Sequence, residues 1–197
     1  TQEDQLAGYG AFTPAKGAYE FLEKHNIQGN MFNTYGIGGY LLYRGYPDRK
    51  NYIDGRNVDY GFEFMNDTFQ AGLDGESWKK VEDKYNLTYA IIDFNAIAKA
   101  GRLGYSVHLD KNENWKLVYV DDWTAVYLKN TPENKSVIDT QKYTVLTPVN
   151  IDKGEVLSTV TAENKEQMVS ELMRVKEENP DGVKARLLLA RIDMADK

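Results

Sequence analysis

Asn33, Tyr35, Asp54 and Arg56 fall close together in the chain, and their types suit recognition of a sugar or a phosphate. Arginine presents a planar fork that meets phosphate or carboxylate with two parallel hydrogen bonds, while aspartate accepts from sugar hydroxyls. Aromatic rings offer apolar surface beside a hydrogen-bonding edge, which fits a sugar ring. Tyr60 and Trp78 extend that aromatic surface, so the expected ligand-binding set is Asn33, Tyr35, Asp54, Arg56, Tyr60 and Trp78. A structural role competes with this one: Asp54 and Arg56 hold each other or nearby backbone and pin a strand end.

Other chemistries find little support. The chain has no cysteine, which removes disulfides, thiolate metal sites and thiol nucleophiles together. Its two histidines, His25 at a helix end and His108 in a loop before a hairpin, have no serine or carboxylate partner at motif spacing. Asp121-Asp122 has the makings of a hard-cation ligand, but adjacent carboxylates in a hairpin turn more often serve the turn. Tyr35-Gly36-Ile37-Gly38-Gly39 suggests a phosphate cradle, yet the spacing is wrong for a dinucleotide fingerprint and no P-loop lysine follows. Those glycines read better as a tight turn with close helix packing. No cofactor and no metal is expected. A formal net charge of −6 argues against a nucleic-acid partner, because no basic stripe can neutralise phosphates.

The elements that must position these residues follow from periodicity. Thr13-Pro14 caps a first helix running to His25, and Met31-Phe32-Asn33 is a short buried strand. Tyr40 to Tyr43 starts a helix that ends before Pro47, and Asn51-Tyr52-Ile53 is a second strand closed by Asp54-Gly55-Arg56. Strand, helix and strand at this spacing predict a parallel pair. Helices are expected over Tyr60 to Phe69, Ser77 to Tyr85 and Ala96 to Ala100. Leu87 to Phe94 is the central strand, and Trp115 to Val120 with Thr124 to Leu128 form an edge hairpin. Open parallel sheets bind ligands beyond the carboxyl ends of their strands, which places Asn33, Tyr35, Asp54, Arg56, Asp93 and Asn95 on one rim. The fold class is therefore α/β: a three-layer, Rossmann-like, mostly parallel sheet with an antiparallel edge hairpin and a C-terminal helical hairpin.

Three regions are expected: an α/β domain over 1–130, a connector over 131–162, and a helix pair over 163–197 resembling a tetratricopeptide unit around Asn179-Pro180. One such pair cannot bury its apolar face alone, so it docks on the α/β part or joins a longer array.

The order Gly29-Asn30-Met31-Phe32-Asn33, Gly38-Gly39-Tyr40-Leu41, Tyr46-Pro47 and Ile53-Asp54-Gly55-Arg56 resembles the soluble domain of bacterial multi-pass membrane proteins related to lipid-linked-sugar glycosyltransferases. With Trp78, the central strand and the hairpin, the resemblance extends from Thr13 to Pro132. It implies an extracytoplasmic domain of a membrane-anchored parent whose membrane-spanning segments lie outside this chain. It further implies a non-catalytic module that binds or positions a glycan, a lipid-linked sugar acceptor or a protein partner. Two alternatives stand beside it: an independent sugar-phosphate transferase or hydrolase at the Asp54 and Arg56 rim, and a protein-interaction module acting through residues 163–197.

Overall fold

The four consecutive residues Tyr89 to Ile92 are all fully buried, as a strand covered on both faces requires. The computed structural model describes residues 15–94, 104–154 and 158–195 and shows what covers it. In chain order the elements are α1 (Lys16–Lys24), β1 (Asn30–Asn33), α2 (Gly38–Gly45), α3 (Phe62–Ala71), α4 (Gly75–Lys84) and β2 (Leu87–Asp93). After these come α5 (Tyr105–Lys111), β3 (Trp115–Val120), β4 (Thr124–Lys129), α6 (Lys135–Gln141), α7 (Pro148–Lys153), α8 (Lys165–Glu178) and α9 (Lys184–Ala195).

The four strands form one sheet in the order β1-β2-β4-β3. Only β1 and β2 run parallel; β4 is antiparallel to both β2 and β3. The expected mostly parallel sheet is thus a mixed one, because the segment expected as a second parallel strand, Asn51 to Ile53, makes no ladder. That segment lies beside β1 all the same, fastened by the Asn33 side chain rather than by backbone pairing.

Alternation along β2 sorts its side chains to two cores. Tyr89 and Ile91 pack with Ala18 and Leu22 of α1, Leu41 of α2 and Ile138 of α6. Ala90 and Ile92 face Trp78 and Val81 of α4 together with Leu109 of α5. Helices therefore cover both faces, giving three layers. The C-terminal pair belongs to the second core: Met168, Leu172 and Val175 of α8 and Ala185, Leu188 and Ile192 of α9 are buried in it. The apolar face of this pair is thus buried in the core that it shares with the sheet.

One further residue differs from expectation. His108 lies in α5 and not in a loop. The proposed Thr13-Pro14 cap, the helix over 96–100 and Asn95 lie outside the described residues. Among the described residues no helix is long and apolar enough to cross a membrane.

Candidate functional site

At the carboxyl ends of β1 and β2 the expected rim is occupied by its own hydrogen bonds. Asn33 is fully buried. Its Nδ2 donates to the carbonyls of Ile53 (2.7 Å) and Thr34 (2.9 Å), and its Oδ1 accepts from the N–H groups of Tyr52 (2.7 Å) and Ile53 (3.4 Å). Two donors and two lone pairs are all that a primary amide has, so nothing is left for a ligand. This one side chain does for the 52–53 segment what a strand ladder would have done.

Asp54 is 2% exposed. Its Oδ1 accepts from Arg56 N (3.0 Å) and Nε (2.8 Å), and its Oδ2 from Arg56 Nη2 (2.7 Å) and Asn51 Nδ2 (2.9 Å). The Arg56 fork, helped by Asn51, holds the carboxyl well below the usual carboxylate range despite burial. Tyr60 completes the knot by accepting from Asp54 N at 3.2 Å, its ring stacked on Phe64 at 4.9 Å. Arg56 keeps an exposed flank on the far side of its ion pair.

Trp78 is not on the rim. At 1% exposure it sits between Phe32 and Trp115 in edge-to-face contacts of 5.0 and 5.7 Å. Tyr35 is exposed, but Tyr35, Tyr60 and Trp78 do not form a shared platform. The glycine run serves packing, as expected: a Cβ on Gly38 would lie 1.9 Å from Ile53 O, and one on Gly36 would lie 2.7 Å from Asp93 Oδ2. Asp93 bonds Thr34 in both directions, N–H to Oγ1 and Oγ1 to Oδ2, each at 3.0 Å.

The hairpin acids are engaged in the same way. Asp121 accepts from Trp123 N (2.8 Å) and Thr124 N (2.7 Å) and so closes the β3-β4 turn, while burial raises its pKa. Asp122 accepts from Val183 N (2.7 Å) and Lys184 N (3.1 Å), capping α9 from across the molecule. Among the described residues no cluster of histidines and acids could hold a metal ion.

An open concavity lies at the other end of the parallel pair, where β1 and β2 begin. There a cleft of about 650 Å³ is bordered by residues 28–31, the turn 47–52, Phe64 and residues 84–87. Two backbone devices shape it. Gly29 has φ +108° and its missing Cβ leaves room for Thr88 Oγ1, which would stand only 2.3 Å from such an atom. Asn86 takes φ +48° just past the end of α4, a conformation asparagine tolerates. Asn30 ties these pieces together by donating through Nδ2 to the carbonyls of Tyr85 (3.0 Å) and Asn86 (3.3 Å).

Arg49 gives the cleft a fixed cation. Its Nη1 donates to Ile27 O (2.7 Å) and to the Tyr89 hydroxyl (2.9 Å), and its guanidinium lies over the rings of Tyr19 and Tyr89. Lys50 beside it is exposed. Lys84 pairs with Asp67 at 3.0 Å and Glu63 at 3.4 Å on the outer edge. Sequence reasoning missed this site because the rule for open parallel sheets directs attention to carboxyl ends. The signals that marked it were the run Asp48-Arg49-Lys50 after Pro47 and the turn-forming pairs Gly29-Asn30 and Tyr85-Asn86.

No family model, curated protein or solved structure matches this chain significantly.

Proposed function

We propose that the chain is a non-catalytic binding module, the extracytoplasmic part of a membrane-bound, glycosyltransferase-like protein, and that it holds a glycan or sugar-bearing acceptor near the membrane surface. One observation carries the non-catalytic reading: the polar residues best suited to chemistry are spent on the fold. Asp54 uses all its acceptor capacity on Arg56 and Asn51, and Asn33 uses all of its amide on residues 34, 52 and 53. A general base must reach a substrate proton, and a carboxylate already saturated and held strongly acidic is a poor one. The membrane-bound parent is supported by the order of motifs from Gly29 to Arg56. A Rossmann-like ancestry is supported by the parallel β1-β2 pair with helices on both faces.

The test is incubation of the isolated chain with sugars, sugar phosphates and nucleotide sugars, followed by product detection and by binding to a saccharide array. Binding without turnover is expected. Turnover by the isolated chain would overturn the reading in favour of an independent transferase or hydrolase.

A second reading, protein docking through residues 163–197, has its own observation. While the inner face of α9 is buried, Val183 just before it and Leu187 and Met194 on its outer side are 67%, 53% and 67% exposed. Spacings of four and seven residues put them on one stripe. Photocrosslinking from position 187 in the producing cells decides it: a discrete adduct supports docking, and crosslink-free chain contradicts it.

A further inference from the structure

We infer that the cleft at the amino ends of β1 and β2 binds an anionic saccharide, a sugar ring carrying one carboxylate or phosphate. The inference rests on the glycan-binding reading and gives that reading a ligand class and a place. It begins with charge. The chain as a whole carries −6, yet this cleft is bordered by Arg49, Lys50 and Lys84 against a single acid, Asp48. Lys84 is compensated by Asp67 and Glu63, which leaves Arg49 and Lys50 without an ion-pair partner among the described residues. A local cationic patch on an acidic protein attracts anions to that one spot.

Arg49 is held ready for such a ligand. Both N–H groups of Nη1 are consumed by Ile27 O and the Tyr89 hydroxyl, so the planar fork is fixed in orientation. The three donors on Nε and Nη2 have no partner among the described residues. A fixed fork loses little freedom on binding and matches the paired oxygens of a carboxylate or phosphate.

The rest of the lining suits hydroxyls. Asn30 and Asn51 both commit their Nδ2 groups to the protein, Asn30 to Tyr85 and Asn86, Asn51 to Ile53 O at 3.1 Å and Asp54 Oδ2. Each amide plane is thereby locked, and neither Oδ1 has a partner among the described residues, so each can accept from a hydroxyl donor. Phe64 and Tyr85 add apolar wall for a ring face. A volume of about 650 Å³ falls within the usual range for small-ligand sites and accommodates one or two sugar rings.

Titration calorimetry of the chain with glucose 1-phosphate, glucuronate, glucose and inorganic phosphate tests this. Binding of at least one anionic sugar is expected, with glucose and inorganic phosphate each weaker by about tenfold or more, since each lacks half of the contacts. A response to glucose 1-phosphate alone assigns a phosphate, and a response to glucuronate alone a carboxylate. Lys50→Glu, at an exposed position, is expected to weaken binding by about tenfold without unfolding the chain. Arg49→Lys keeps the charge but loses the fork and is expected to weaken it as well. Glucose binding as tightly as glucose 1-phosphate would overturn the anionic class and leave the glycan reading in place. Anionic-sugar binding untouched by Lys50→Glu and Arg49→Lys would overturn the location. No heat from any of the four would overturn the inference, while array binding by the same preparation would still uphold the broader reading.

Discussion

Asp54 and Asn33 share one physical problem: each is a buried polar side chain that has to satisfy its full hydrogen-bonding capacity from the protein. Asn33→Ala removes the hydrogen-bond partner that Tyr52 N has among the described residues and is expected to destabilise the chain by about 2 to 3 kcal/mol, measured as a lowered urea midpoint at constant slope. For Asp54 the sign follows from its depressed folded pKa. The stability it contributes is complete above its unfolded value of 3.8 and is lost as pH falls from there toward the lower folded value. Urea titrations between neutral pH and pH about 3 should therefore show a steeper acid loss in the wild type than in Asp54→Asn, whose stability is lower by about 1 to 3 kcal/mol at neutral pH. Equal acid slopes in the two proteins would contradict the pairing. At this scale the sequence was legible in part. The structural role of the Asp54 and Arg56 pair follows from their spacing of two, whereas the burial of Trp78 does not, because an amphipathic helix can turn a tryptophan to either side.

The helices and strands were legible wherever apolar periodicity was strong, as in Leu87–Asp93, the Trp115 to Lys129 hairpin, and the α8 and α9 pair. Asn51 to Ile53 looked like a strand because Tyr52 and Ile53 are good strand formers, but a ladder needs continuous backbone pairing, and here the Asn33 amide intervenes. Close approach of α2 to that same segment makes a paired prediction. Gly38→Ala would drive a methyl into Ile53 O and should cost about 2 kcal/mol or more, while Gly39→Ala, with open space around it, should be neutral or stabilising by up to about 1 kcal/mol. Thermal melts of the two variants check it. The docking of α9 depends on a cap that no local sequence pattern reveals, since Asp122 is some sixty residues upstream. Asp122→Ala should destabilise by about 1 kcal/mol and accelerate amide hydrogen exchange in α9 ahead of the sheet.

For the whole molecule, fold and candidate site were legible to different degrees. The three layers, the edge hairpin and the C-terminal helix pair follow from pattern, but the location of the open cleft does not. It is created where Gly29 and Asn86 adopt left-handed backbone and where Arg49 bonds across to β2, a meeting of segments more than fifty residues apart. If the membrane-bound parent is right, an antibody against this chain should detect a band in the membrane fraction of the producing cells well above 22.5 kDa. A soluble band at that mass would contradict it. The central claim, binding without chemistry at the amino-end cleft, is tested most directly by following backbone amide signals of the chain by NMR while a sugar phosphate is added, with the sugar signals recorded in the same sample. Shifts confined to residues 28–31, 47–52 and 84–87, with the sugar unchanged over time, are the predicted result. Shifts centred on Asn33, Asp54 and Arg56 with conversion of the sugar would contradict it.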